Sequence, residues 1–266
     1  TRERMVLEIC VDSLESARAA ESGGAQRVEL CSSLSEGGIT PSSGLIGAVR
    51  ECLSIPVFII IRPRAGDFSY TAEEFALMKR DIERAKAYGV NGVVLGVLLQ
   101  DGQVDMERTR ALVELARPLE VTFHRAIDWA PQMEDALEQV IAAGADRILT
   151  SGGAQTAMQG MKRIAHLVAK ADRRISVMIG GTVRHENIGE LARKTNATEF
   201  HASLRKPKRS PVTYHNRVLS LSEPGLEPGL DDFTLYVVSA DDVRALRYAL
   251  ETAQDGDLAK MLPPRL

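Results

Sequence analysis

Short apolar runs that end in a chemically capable side chain recur along this chain, and they limit its fold more than any other feature. In order they are Val6-Leu7-Glu8-Ile9-Cys10-Val11-Asp12, Arg27-Val28-Glu29-Leu30-Cys31, Val57-Phe58-Ile59-Ile60-Ile61-Arg62, Val121-Thr122-Phe123-His124-Arg125, Ile148-Leu149-Thr150-Ser151 and Thr198-Glu199-Phe200-His201. Each has strand length, and most precede a stretch with helical periodicity. Val93 to Gly96 and Ser176 to Ile179 add two more runs of the same kind. Strands this short and this apolar suit a parallel sheet covered on both faces.

The punctuation between the runs points to a repeated βα unit. Asp12 or Ser13 offers an N-cap for a helix running to Ser22, and Gly23-Gly24 stops it. Similar junctions precede later strands at Gly89-Val90-Asn91-Gly92 and Gly144-Ala145-Asp146-Arg147. Thr40-Pro41 reads as an N-cap followed by an N1 proline, and Thr71-Ala72-Glu73-Glu74 as a capping box. Asp105 and Pro131 open two further helices, and others are expected over Gln155 to Lys170 and Arg184 to Lys194. The first strand-to-helix turn, Asp12-Ser13-Leu14-Glu15, lacks a glycine-rich dinucleotide fingerprint, which argues against an open doubly wound sheet. The expected fold is therefore α/β, a (β/α)8 TIM-type barrel. A chain of 266 residues suits one such domain over positions 1–266, since these barrels take roughly 250 residues.

One segment breaks the rhythm. Arg205 to Asp232 is basic at first and then rich in proline and glycine (Glu223-Pro224-Gly225-Leu226-Glu227-Pro228-Gly229). Phe233 to Val238 follows as an extra strand, and Ser239 caps a last helix over Val243, Leu246 and Leu250. The expectation is a long excursion between the eighth strand and the eighth helix.

Charge and cysteine usage narrow the partners. Lys and Arg total 33 against 36 Asp and Glu, a net charge of -3, which gives no footprint for nucleic acid or anionic lipid. No run approaches the roughly 20 apolar residues of a membrane span, and Thr1-Arg2-Glu3-Arg4-Met5 lacks the pattern of a secretory signal. Cys10, Cys31 and Cys52 show no Cys-x-x-Cys spacing, so neither a disulfide framework nor a structural zinc site is expected. Reduced thiols in a cytoplasm, with a metal ion or a small molecule as partner, fit this pattern.

In such barrels the site lies at the C-terminal ends of the strands. Side-chain alternation puts Glu8 and Cys10 on one face of the first strand, and Glu29 and Cys31 on one face of the second. If the glutamates point inward, so do the cysteines, one layer nearer the mouth. Two thiols suit a soft ion, whereas carboxylates with His124 and His201 suit a harder metal or proton transfer. The thiols also fit a plainer role as small hydrophobes filling the barrel. Arg62 and Arg64, with Gly66 and Asp67 beside them, can hold an anion, although Arg62 can equally neutralise Glu8 or Glu29. His124 is placed to act as an acid/base near neutrality, beside Arg125 and Asp128. Ser151 ends the sixth strand, and the glycine pairs Gly152-Gly153 and Gly180-Gly181 offer backbone N–H groups to a phosphate. No lysine sits at a strand end, and no Gly-x-Ser-x-Gly or His-Glu-x-x-His motif is present, so Schiff-base and common hydrolase chemistries are set aside.

Together these motifs resemble the CutC copper-homeostasis family. The resemblance rests on Glu8 to Ser13, Arg27 to Ser32, Leu34-Ser35-Glu36-Gly37-Gly38-Ile39-Thr40-Pro41-Ser42, Ile61-Arg62-Pro63-Arg64-Ala65-Gly66-Asp67-Phe68, Val121 to Ala126, Leu149 to Gly152 and Glu199-Phe200-His201. It implies a cytoplasmic (β/α)8 barrel, usually a homo-oligomer such as a dimer or tetramer, with Cu(I) bound by Cys10 and Cys31. Ala65 stands where the family often has glycine, and Ala202 where some relatives have cysteine. The competing expectation is a metal-independent or divalent-metal enzyme for a small phosphate- or carboxylate-bearing metabolite. There Arg62 and Arg125 hold the anion, His124 moves protons, and Glu8 or Glu29 serves as base or hard-metal ligand.

Overall fold

A computed structural model describes residues 5–214, 216, 218, 219 and 232–261. The parallel strands β1 (Val6–Val11), β2 (Arg27–Leu30), β3 (Val57–Ile60), β4 (Gly92–Leu95), β5 (Glu120–Phe123), β6 (Arg147–Thr150), β7 (Ser176–Ile179) and β8 (Glu199–Ala202) close into a barrel in sequence order. Closure is made by β1 on β8, where Glu8 stands opposite His201. Helices α1 (Leu14–Ser22), α2 (Ser43–Cys52), α3 (Ala72–Ala87), α4 (Met106–Ala116), α5 (Met133–Ala143), α6 (Ala157–Ala171), α7 (Ile188–Thr195) and α8 (Ala240–Met261) follow their strands. The expected TIM barrel is the observed one.

The excursion before α8 carries β9 (Lys206–Arg209) and β10 (Thr234–Val237), an antiparallel pair. Sequence patterning anticipates β10 but not β9, whose four residues are all exposed and show no apolar alternation. The Pro-Gly run from Glu223 to Gly229 lies outside the described residues. The chain is tied back where Val238 donates its N–H to Ser16 Oγ (3.1 Å) on α1.

Local signals place most helix starts. Ser13 caps α1, Thr71 and Glu74 form the capping box of α3, and Asp105 caps α4. Gly24, at φ +93°, supplies the left-handed residue after α1, one position beyond Gly23. Four starts differ from expectation, among them α6, which begins at Ala157 under a Thr156 cap rather than at Gln155. Helix α2 begins at Ser43 under a Ser42 cap, because the Thr40 hydroxyl is engaged by the Arg62 backbone N–H (2.9 Å) and carbonyl (3.2 Å). Helix α5 starts at Met133 rather than Pro131, and α7 at Ile188 after the Arg184–Asn187 turn.

Strand alternation divides the core into two. Outward side chains such as Leu7, Ile9, Val28, Leu30 and Ile59 pack under the helices, while Cys10, Cys31, Phe58, Ile60 and Val94 pack inside the barrel. The floor of the interior is ionic. Arg27 Nε bonds Glu8 and its Nη2 bonds Glu199 (2.6 Å). Arg147 Nε reaches Glu199 (2.5 Å), and Ser176 Oγ donates to the same carboxylate (2.5 Å). Both guanidinium groups lie over the Phe58 ring, at 4.9 and 5.5 Å. Gly92 makes room for that ring, since a Cβ there would fall 2.5 Å from it.

Removing one partner from a buried ion network leaves an uncompensated charge, at a cost of about 3–5 kcal/mol. Arg27→Met is therefore expected to lower unfolding free energy by that amount in urea titrations. Glu138→Gln breaks the exposed pair with Arg174 (2.7 Å), which water screens, so its expected effect on stability is far smaller. Equal effects of the two substitutions would contradict this account.

Candidate functional site

The C-terminal mouth of the barrel encloses a cavity of about 1160 Å³, whose walls include Cys10, Glu29, Arg62, Phe68, His124 and His201. Two groups of side chains define it, one on β1, β2 and β8, the other at the ends of β3 and β5.

The first group follows from alternation. Glu8 and Cys10 share the inward face of β1, and Glu29 and Cys31 extend inward from β2, with the thiols nearer the mouth as the sequence implies. Cys10 Sγ and Cys31 Sγ lie 3.6 Å apart, and both reach Glu29 Oε1, at 3.5 and 3.1 Å. Glu29 Oε2 is buried and has no hydrogen-bond partner among the described residues. On β8, His201 Nδ1 meets Glu8 Oε1 at 2.7 Å. Donor atoms of Cys10, Glu29 and Cys31 lie within 4.8 Å of one another, as do those of Glu8, Glu29 and His201. Either set is compact enough to hold a metal ion.

Electrostatics divides the charge within this group. Burial alone would raise the Glu8 pKa, but the Arg27 guanidinium and His201 outweigh it and bring the carboxyl down to about 2. Burial likewise opposes charge on His201, yet Glu29, Cys10 and Glu8 hold its pKa well above the usual imidazole value. The hydrogen bond from Cys31 draws the Cys10 thiol down to about 6, with His201 assisting against burial. Burial and the adjacent Cys10 charge push Glu29 up to about 8. Cys31 is raised well above an ordinary thiol by burial and by Cys10. The coupling thus favours charge on Glu8, Cys10 and His201 and opposes it on Glu29 and Cys31.

The second group departs from expectation. His124 Nδ1 accepts the Ala126 N–H (3.1 Å), so the ring proton of the neutral form sits on Nε2, which is buried without a partner among the described residues. Burial, then the charge of Arg62, pushes its pKa down to about 3. His124 is therefore a neutral hydrogen-bond donor, not an acid/base titrating near neutrality. Arg62 pairs with neither Glu8 nor Glu29. Its Nη1 donates to the Glu36 and Gly38 carbonyls and its Nη2 to that of Gly66, each at 2.8 Å.

Other candidates are engaged elsewhere. Arg64 turns outward to Glu74 (2.5 Å) and Asp67 (3.2 Å), and Asp67, on the cavity rim, also accepts the Ser69 N–H. Arg125 lines the cavity but is paired with Asp128 (2.8 Å) and donates to Ser151 Oγ (2.7 Å). Ser151 Oγ in turn donates to the Ala154 carbonyl (2.6 Å). The backbone N–H groups proposed for phosphate are largely consumed. Gly152 donates to Thr150 Oγ1, Gly153 to Asp128 Oδ1, and Gly180 to the Thr150 carbonyl. Gly180 has a steric task instead, since a Cβ there would fall 2.7 Å from Leu149. Gly181, at φ +102°, lines the cavity and accepts the Ala157 N–H through its carbonyl.

Sequence reading missed Arg27, Arg147 and Glu199. The signal was present: Gly24-Ala25-Gln26-Arg27 and Gly144-Ala145-Asp146-Arg147 place an arginine at the start of a strand, and Arg27 shares parity with Glu29 and Cys31.

Fold and site together define a (β/α)8 barrel whose mouth holds a buried dithiol braced by a carboxyl group and an imidazolium. The CutC family model matches residues 5–206. The family protein CutC of Chromobacterium violaceum is 48% identical over 248 residues, 93% of this chain and 99% of the relative. The human copper homeostasis protein cutC homolog is 43% identical over 241 residues, 91% and 87% of the two chains. A crystal structure assigned as copper homeostasis protein CutC from Streptococcus agalactiae superposes with a TM-score of 0.71 at 33% identity, covering 74% of this chain and 97% of that one. The chain belongs to the CutC family. N-(5'-phosphoribosyl)anthranilate isomerase from Pyrococcus furiosus shares the barrel alone, with a TM-score of 0.55 at 16% identity over 94% of this chain and 100% of the other.

The two mouth histidines are expected to titrate oppositely. In imidazole-resolved NMR, His201 is cationic at pH 7 while His124 stays neutral down to about pH 3. Because its folded pKa lies below the ordinary 6.5, His124 stabilises the fold fully above pH 6.5 and progressively less as pH falls toward 3. Glu8 acts in the same direction between pH 4.5 and about 2. His124→Asn is expected to flatten the upper part of this loss in urea midpoints measured against pH.

Proposed function

We propose that this chain serves copper homeostasis by holding Cu(I) on Cys10 and Cys31. The supporting observation is the thiol pair itself, two buried sulfurs 3.6 Å apart, Cys10 lining the cavity from β1 and Cys31 directly after β2. Thiolates select soft ions, and Cu(I) is the soft form of copper, the metal in the names of the human and mouse relatives.

The surroundings fit such a cargo. Cys10 is poised as a thiolate, whereas Cys31 holds its proton and gives it up when a metal binds, so uptake releases a proton. Glu29 Oε1 sits beside both sulfurs, and its raised pKa keeps negative charge away from the dithiolate that forms. His201, held cationic by Glu8, offsets the negative charge of a dithiolate. Free thiols require a reducing compartment, and no described helix is long and apolar enough to cross a membrane.

Competition against a chromophoric Cu(I) chelator under anaerobic conditions tests this. Near-stoichiometric Cu(I) uptake is expected, with Cys10→Ser and Cys31→Ser each weakening affinity by more than about 100-fold, beyond the loss caused by removing an outer partner of a metal ligand. Unchanged uptake in both variants would refute the assignment.

A further inference from the structure

Beyond the thiols, at the ends of β3 and β5, the cavity wall carries two buried donors that metal binding does not use. Arg62 is only 5% exposed, yet no carboxylate lies within ion-pair distance of its guanidinium among the described residues. Three backbone carbonyls fix its Nη atoms, the Tyr70 hydroxyl interacts with its side chain, and Nε makes no hydrogen bond among those residues. His124 is 6% exposed, and its Nε2 is in the same condition. A buried cation or polar hydrogen without an acceptor is costly, so such a pair points to something that binds it.

The strands bring these groups together. Arg62 follows β3 and His124 follows β5, with β4 between them. The residue after β4 is Gly96, where a Cβ would fall 2.4 Å from the His124 ring. Glycine therefore removes the side chain that would otherwise stand at the ring. The Phe68 ring lies against both groups, 5.0 Å from the imidazole and 5.2 Å from the guanidinium carbon, and shields them from water. All three residues line the cavity.

We propose that Arg62 and His124 form a binding site for the carboxylate group of a small organic acid, which goes beyond metal binding. A planar guanidinium edge and a single imidazole N–H match the two oxygens of a carboxylate. A phosphate dianion fits less well, because the backbone N–H groups of Gly152, Gly153 and Gly180, which would form its cradle, are already committed. The depressed pKa of His124 keeps it a neutral donor at physiological pH. Ile60, Phe68 and Leu98 on the same wall suit the carbon skeleton of an organic acid.

Malonate and pyruvate serve as probes against inorganic phosphate, with chloride at matched ionic strength as the blank. In metal-free wild-type protein, either carboxylate is expected to shift the His124 Nε2 resonance saturably and to raise the melting temperature. His124→Asn keeps an acceptor for the Ala126 N–H but removes the Nε2 donor, and is expected to weaken carboxylate binding roughly tenfold. The resonance shift needs no substitution, so it decides the matter even if the variant fails to fold. Three results would overturn the site: no saturable shift beyond chloride, phosphate binding as tightly as the carboxylates, or a folded His124→Asn protein with undiminished affinity.

Discussion

One fully buried carboxylate, Glu8, is shared between two cations, and much of the interior depends on that sharing. Through Oε2 it meets Arg27, which continues the ionic chain through Glu199 to Arg147 on the barrel floor. Through Oε1 it meets His201 at the mouth. A carboxylate at 0% exposure is stable only when both oxygens are answered, so floor and mouth are bound into one electrostatic unit. The parallel closure of β1 on β8, with Glu8 opposite His201, makes this geometry possible.

The sharing fixes the chemistry above it. Glu8 helps hold the charge on His201, and that charge helps stabilise the Cys10 thiolate. Across the cavity, His124 faces the Arg62 cation and is buried beside Phe68, while Asp128 contributes too little to restore its charge. The same residue type thus appears in opposite protonation states on two walls of one cavity. The thiol wall is suited to soft, charge-accepting ligands, and the Arg62 wall to a hard anion.

How much of this the sequence reveals depends on where the backbone stays regular. Within strands, period-two alternation holds, and it correctly brings Glu8, Cys10, Glu29 and Cys31 inward. Beyond the strand ends it fails. Arg62 and Arg64 have the same parity, yet Pro63 and the following turn send Arg62 inside and Arg64 out to Glu74. Ser151 has the parity of Leu149 but is taken by the Asp128 and Ala154 contacts of the loop. The glycine pairs after β6 and β7 show that a loop must be tight, but not that its N–H groups are already spoken for. Pairing partners such as Arg27 with Glu199 are separated by 172 residues, so only the closed barrel reveals them.

The two walls are also joined mechanically, through the loop after β2. Gly38, at φ +87°, packs so closely on Cys31 that a Cβ there would lie 3.2 Å from the sulfur. The carbonyl of the same residue accepts a hydrogen bond from Arg62. Gly38 therefore stands between the Cys31 sulfur and one of the carbonyls that support the Arg62 guanidinium. A single glycine, required by both a left-handed backbone and a sulfur contact, therefore makes the soft and hard walls parts of one site.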